Sequence, residues 1–303
     1  MACYYISVLF ERIEMSLPPA SPFPALPSAA RIGCVSFLNS KPLIDPLVGQ
    51  PDLRIHFAVP SALQQLIESR VVSTALMSVV DFQTTNADLL LVPAGMIGCD
   101  GPTLTVRIFS RVPATEIRAI HGDTDSHTSV ILAQVIMRER HGVSPQLLPF
   151  AAPRDAATSP ASLPETMLLI GDKVVNAAPD DRIYSYQFDL GEEWKALTGL
   201  PFVFAMWMMR RDAVEGDRAA AVHVAEQLAA ARRRGADLTE QLLDRYAAEK
   251  QWPRDLARRY FTEYLRYEVT PRARQGLRRF FEIASGLGLL PDRRPVEFLE
   301  VPG

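Results

Sequence analysis

The chain has 303 residues, 48% hydrophobic and 22% charged, with a formal net charge of −3. Its length suits one large domain or two lobes, and the near-neutral balance carries no broad basic field, which argues against nucleic acid or an anionic membrane as a partner. Three cysteines, Cys3, Cys34 and Cys99, are too few and too scattered for a disulfide framework or a Cys-x-x-Cys zinc site, and they suit a reducing cytoplasm.

Tyr4–Phe10 is apolar, but no positive charge precedes it and Glu11 and Arg12 follow at once, so it makes a poor secretory signal. Residues 1–30 are expected to form a disordered leader, Pro-rich over 16–30, with the fold starting at Arg31 and Met15 a candidate start of translation. From there the pattern alternates. Residues 31–38 read as a strand, 42–48 as a helix, 53–59 as a strand, 61–69 as a helix capped by Ser61, and 74–77 as a strand, a βαβαβ order that implies a mostly parallel sheet. Residues 89–93 and 103–109 read as strands flanking Gly95-Met-Ile-Gly-Cys-Asp-Gly-Pro102, whose three glycines and proline suggest a crossing between lobes. A new unit follows, with strands at 117–120, 147–150 and 167–170, a helix over 130–141 that stops at Gly142, and an Ala/Pro/Ser-rich loop over 151–164. Phe202–Met208 reads as one returning strand, far short of the roughly 20 residues a membrane span needs, and 212–289 reads as almost wholly helical. The plan is two α/β lobes joined by two crossings, one discontinuous (31–102 with 206–303) and one continuous (103–205), with a ligand in the cleft between them.

Candidate chemistry sits at the carboxyl ends of these strands. Val35-Ser-Phe-Leu-Asn-Ser-Lys-Pro-Leu43 joins a strand to a helix, and Asn39 there is a natural N-cap; helix-start amides also attract carboxylates, so a ligand contact is the alternative role. Asp123-Thr-Asp-Ser-His-Thr-Ser129 concentrates hydroxyls, carboxylates and an imidazole at a strand-to-helix turn, either as a capped surface turn or as an anion-binding loop. It is no EF-hand, because positions six and twelve counted from Asp123 are Thr128 and Gln134, where Gly and Glu are required. Ser78 ends a strand of the first lobe, and Gly171 and Asp172 follow the strand 167–170, where glycine lets the backbone approach a ligand; each position serves equally as a cap. The five histidines form no H-x-x-x-H pair, and there is no P-loop or G-x-S-x-G elbow, so metal, nucleotide and serine-hydrolase chemistry have no support. His127, the one histidine in a candidate site, offers a general base, although a solvated loop residue is the simpler role.

Taken in order, Val35–Leu43, Gly98-Cys-Asp-Gly-Pro102 with Val106-Arg-Ile-Phe-Ser110, Asp123–Ser129 and Leu169-Ile-Gly-Asp172 resemble the motifs of one family, the chorismate dehydratases of the futalosine route to menaquinone. Tyr267 and Gly276-Leu-Arg-Arg-Phe-Phe-Glu-Ile-Ala284 resemble the closing helices of that family, so the likeness covers about residues 31–290. The resemblance implies an α/β, bilobal, periplasmic-binding-protein type II-like fold with a helical C-terminal segment, turned to catalysis in the cytoplasm. The implied reaction is that of a lyase: chorismate loses its ring hydroxyl as water, with the proton on the neighbouring ether-bearing carbon, to give 3-[(1-carboxyvinyl)oxy]benzoate. Asn39 is implied to contact the substrate near the departing hydroxyl, and Thr105, where the family often has Ser, to keep a catalytic hydroxyl at the crossing. Ser40, Ser78, Ser126, His127, Thr128, Ser129, Gly171 and Asp172 are the implied substrate contacts, with His127 standing where Arg is expected. No residue is implied as the general base, and the enolpyruvyl carboxylate of the substrate takes that part. No metal or other cofactor is implied, and the expected state is a monomer or homodimer. The alternatives are a solute-binding protein that captures a small carboxylate without chemistry, and 1,4-dihydroxy-6-naphthoate synthase of the same pathway. A signal or lipobox would favour the former, and residues 1–30 show neither; the Ser-Phe-Leu-Asn opening argues against the latter.

Overall fold

Two sheets carry the architecture of the computed structural model, which describes residues 30–123, 125–152, 163–291 and 294–300. The expected leader, Thr124 and most of the 151–164 loop lie outside the described residues. In the first sheet β1 (Ala30–Cys34) lies between β2 (Leu53–Phe57) and β3 (Thr74–Ser78) and is parallel to both. The long β10 (Phe202–Arg210) returns antiparallel between β3 and β4 (Leu89–Cys99), and the short β11 (Leu265–Arg266) closes the edge beside β4. In the second sheet β6 (Ala119–Asp123) runs parallel to β7 (Gln146–Phe150) and β8 (Thr166–Ile170), while β5 (Val106–Ser110) pairs antiparallel with β8 and with β9 (Tyr186–Asp189). No helix among the described residues is long and apolar enough to cross a membrane.

Burial explains the elements. β10 is a central strand with apolar side chains on both faces, so Phe202, Met206, Trp207 and Met208 are all at most 1% exposed. Helix α1 (Lys41–Ile44) begins with Pro42 in its first turn, and α2 (Pro60–Glu68) buries Leu63 and Ile67 one turn apart. That helix starts at Pro60 with Val59 in the N-cap position, in place of the expected cap at Ser61. The expected C-terminal helical region contains α7 (Arg211–Gly216), α8 (Arg218–Asp237), α9 (Thr239–Tyr246), α10 (Arg254–Arg259) and α11 (Pro271–Gly286), and β11 interrupts it. Thr270 caps α11 by accepting the Ala273 N–H at 3.1 Å.

The expected turn at Gly95–Pro102 is instead largely strand. β4 runs unbroken through Cys99, and the register against β10 shifts twice, between Val203 and Ala205 and between Met206 and Trp207. A side chain at Gly98 would meet the Phe202 carbonyl oxygen at 2.5 Å, so this glycine serves close strand approach and the crossing itself is confined to Asp100–Thr105. The returning strand belongs to the first sheet from Phe202 onward.

The second unit adds α4 (His127–Glu139), α5 (Lys173–Asn176) and α6 (Leu190–Thr198). α4 starts at His127 and not at residue 130, because Ser126 caps it: the Ser126 Oγ accepts the Ser129 N–H at 3.1 Å. His127 is therefore not a loop histidine. It is buried in the first turn, where its Nδ1 meets Oδ1 of Asp81 at 2.5 Å, at the start of α3 (Asp81–Thr84). The adjacent Thr128 is equally buried, its Oγ1 accepting the Val80 N–H at 3.4 Å. Both bonds tie the second unit to the first. Burial pulls the His127 imidazole down, but the charge and hydrogen bond of Asp81 outweigh it and hold the ring above the ordinary histidine value.

Two expected outcomes follow from this packing. A side chain at Gly235 of α8 would meet the Pro42 carbonyl oxygen of α1 at 1.8 Å. Gly235→Ala, which gains about 1 kcal/mol in a free helix, should here cost about 1–3 kcal/mol through overpacking; a melting temperature at or above that of the unaltered protein would show that α8 does not bear on α1. Asp81→Asn should cost about 3–5 kcal/mol while His127 is charged. Because the folded-state value of His127 is raised, that contribution is complete below about pH 6.5 and is lost as pH rises through the folded value. Thermal unfolding from about pH 6 to about pH 9 should show the Asp81→Asn deficit shrinking, and a deficit constant with pH would mean that His127 stays neutral.

Candidate active site

The turn between β1 and α1 is built by its own serine. The Ser40 hydroxyl lies 2.9 Å from the Val35 carbonyl oxygen and 2.8 Å from that of Phe37, which folds the chain back and stops β1 at Cys34 instead of Leu38. Leu38–Ser40 thus form a single 3₁₀ turn, and Asn39 lies inside it, not at a capping position. The Tyr267 hydroxyl donates to the Asn39 carbonyl at 3.0 Å from the other side. With its carbonyl held by Tyr267, Asn39 lines a cleft between the two sheets.

The walls come from both units and the crossing. Ser78, at the end of β3, joins Asn39 on the first side together with apolar Val35, Phe37, Met77 and Phe204. Tyr260 also lines this side, at the start of a π-helical turn (Tyr260–Tyr264) that follows α10. Thr105 lies on the crossing, 2% exposed, with its Oγ1 2.6 Å from the Tyr260 hydroxyl. Burial pushes that hydroxyl well above the ordinary tyrosine range against the opposing hydrogen bond of Thr105, so it remains protonated. The Asn39 Oδ1 is buried and has no hydrogen-bond partner.

The second unit faces these groups with the start of α4. Ser126 donates to the Ser129 Oγ at 2.8 Å, and both residues line the cavity at the positive end of a 13-residue helix. The loop that leads there is pinned by Lys173, whose Nζ lies 2.8 Å from both Asp123 oxygens and 2.8 Å from Oδ2 of Asp125. Asp125 lines the cavity and shares Lys173 with Asp123, and among the described lining residues there is no Lys, Arg or His. Gly171 adds backbone at φ 60°, a left-handed conformation that glycine adopts freely, and its N–H donates to the Thr105 carbonyl at 2.8 Å.

Of the candidate residues, Asn39, Ser78, Thr105, Ser126, Ser129 and Gly171 converge on this cavity. Four do not. Ser40 spends its hydroxyl on the turn, His127 on Asp81 and Thr128 on Val80. Asp172 accepts the Trp252 Nε1–H at 3.0 Å and lines the outer part of the cleft beside Lys250 and Asn176. Tyr260 and the Lys173–Asp125 pair escape sequence reasoning. An aromatic residue in a helical stretch reads as core, and Lys173 meets its carboxylates only through the fold.

Relatives of known structure or name share this plan. The chain is 26% identical over 252 residues to the chorismate dehydratase of Thermus thermophilus, covering 78% of this chain and 89% of that protein. Its fold matches the alkanesulfonate-binding protein SsuA of Xanthomonas axonopodis pv. citri bound to MOPS, with a TM-score of 0.61 at 16% identity over 90% of this chain and 98% of the other. It also matches a Candida albicans protein that exhibits the generic periplasmic binding protein structural fold, with a TM-score of 0.60 at 10% identity over 91% and 98% of the two chains. These likenesses establish the periplasmic-binding-protein fold. The family model described as menaquinone biosynthesis matches residues 30–286, a span that holds both sheets and every residue of the cavity wall, and the chain belongs to that family.

Proposed function

We propose that this protein dehydrates chorismate to 3-[(1-carboxyvinyl)oxy]benzoate in menaquinone biosynthesis by the futalosine route. The observation that carries the reading is the pairing, across one cavity, of an unpartnered Asn39 Oδ1 beside the Thr105 hydroxyl with a serine-lined helix start. The named relative from Thermus thermophilus adds weight to it. In this reading the sheets are the cores of two lobes, the expected boundary at 205/206 moving to 201/202 because β10 lies in the first sheet from Phe202: 31–102 with 202–303 and 103–201, of a cytoplasmic monomer or homodimer that acts without a cofactor. Ser126, Ser129 and the first amides of α4 receive a substrate carboxylate, and Asn39 and Thr105 hold the ring hydroxyl. Ser78 and Gly171 shape the remaining wall.

The chemistry needs little from the protein beyond positioning. The C–H bond next to the ether oxygen breaks and its electron pair becomes the new ring double bond. The C–O bond to the hydroxyl breaks and its pair leaves with oxygen. The proton passes through the substrate's own enolpyruvyl carboxylate and departs with hydroxide as water, and aromatisation supplies the driving force.

Incubation with chorismate should produce a new aromatic absorbance, and Asn39→Ala should lower kcat about 10²–10³-fold, the cost of removing one group that stabilises developing charge. Chorismate recovered unchanged at high enzyme concentration would overturn the proposal. If the same sample bound chorismate, the fold shared with SsuA would then favour a solute-binding role.

A further inference from the structure

We infer that Asp189 is a positioning residue for the proposed reaction: its carboxylate holds the crossing in a strained turn that sets where the Thr105 hydroxyl stands in the cavity. The inference rests on the dehydratase reading and adds a residue that the reading does not require, since Asp189 is not among the described residues of the cavity wall.

The turn lies immediately before Thr105. Leu104 has φ 67°, in the left-handed region that a leucine enters only at a cost, and the Thr105 N–H donates to the Thr103 carbonyl at 2.8 Å. A bond between residues two apart around a positive φ marks the rare, strained form of the γ-turn. Strain of this kind persists only where the surroundings over-determine it, and it gathers at functional sites.

Asp189 supplies the restraint. Its Oδ1 accepts the Thr103 N–H at 2.9 Å and its Oδ2 the Leu104 N–H at 2.8 Å, so one carboxylate spans two successive amides of the turn. The same Oδ1 accepts the Gly191 and Glu192 N–H groups at 3.0 and 3.2 Å and thereby caps α6. That helix lies hard against the crossing. A side chain at Gly191 would meet the Gly101 carbonyl oxygen at 2.5 Å and the Thr103 Cβ at 3.1 Å, and Lys195 of α6 pairs with Asp100. Asp189 is buried, so its bonds act in a setting where little water competes for them.

The turn places the hydroxyl because threonine is β-branched and stiff about its first side-chain torsion, so Oγ1 follows the backbone that carries it. Downstream, that backbone is held by the Gly171 N–H at the Thr105 carbonyl; upstream, it is held by the turn. Relaxation of Leu104 to a negative φ would rotate Thr105 about this anchor and carry Oγ1 away from the Tyr260 hydroxyl, which it meets at 2.6 Å. A displacement of about an ångström is enough to cost about 10²-fold in rate.

The test replaces Asp189 with residues that cap a helix equally well. Asp189→Asn keeps an oxygen for Thr103 and α6 but turns an amide donor toward the Leu104 N–H. Asp189→Ser offers one oxygen to α6 and cannot span the crossing amides. With chorismate as substrate, kcat should fall about 10-fold in Asp189→Asn and about 100-fold in Asp189→Ser, with KM within about threefold of the unaltered value. Beside Thr105→Val the same replacements should cost less than about twofold further, because the hydroxyl they misplace is gone. A loss of folded protein would lower activity by the same factor in both backgrounds, so an undiminished cost beside Thr105→Val would overturn the inference. Full kcat in both variants, or a loss carried by KM alone, would overturn it as well, and each of these results leaves the dehydratase reading intact. Either replacement carries the test if the other does not fold. An unaltered protein that leaves chorismate unchanged would overturn both readings.

Discussion

The placement of Asn39 depends on one close approach. α8 passes so near α1 that Gly235 lies against the Pro42 carbonyl, where no larger residue fits without displacement. This contact sets the position of the helix that follows the Ser40 turn, and the Tyr267 hydroxyl fixes the turn from the opposite side. Residues more than two hundred positions along the chain thus hold a three-residue turn near its start. The helical C-terminal segment is the scaffold of the site as well as a cover for the first sheet.

Among the described residues the inner cavity wall carries no cation, the lysines lying in the outer cleft, and this fits the proposed reaction. Chorismate and its dehydration product carry the same two carboxylates, so an arginine or lysine holding either would bind substrate and product alike and would not favour the transition state. Only the hydroxyl distinguishes them. A wall of neutral donors with a helix start opposite holds the anion loosely enough for release and concentrates discrimination on the group that changes. Lys173, shared between Asp125 and Asp123, offsets part of the charge of the wall carboxylate, which alone would repel a dianion.

Much of this was legible in the sequence, and the reasons for the rest are specific. The alternation over 31–77, the buried run of β10 and the hydroxyl-rich approach to α4 depend on local pattern, and pattern reading placed them. Asn39 looked like a cap because Asn before Lys-Pro normally is one, yet Ser40 closes the turn through carbonyls that no spacing rule reveals. Gly98 looked like a turn glycine because the demand on it comes from a strand about a hundred residues away. His127 lies in a polar string that suggests a solvated loop, but capping by Ser126 draws it into a helix where it meets Asp81 of the other unit. Tyr260 carries no local signal, since its contact is with the Thr105 hydroxyl, distant in sequence.

The bonds that define the site are also the bonds that join the two sheets. Asp81 with His127, Val80 with Thr128, and Trp252 with Asp172 each cross from the first unit to the second, while Gly171 and Thr105 close the crossing. A fold shared with solute-binding proteins acquires catalytic precision when such contacts hold the walls at fixed separation, because a donor misplaced by about an ångström loses most of its effect on a transition state. In this protein the contacts are buried for the most part and spread around the cavity rim. Opposed groups such as Asn39 and Ser126 are therefore positioned by the same network that orders the core, and altering the rim changes the geometry of the site together with the stability of the packing between the sheets.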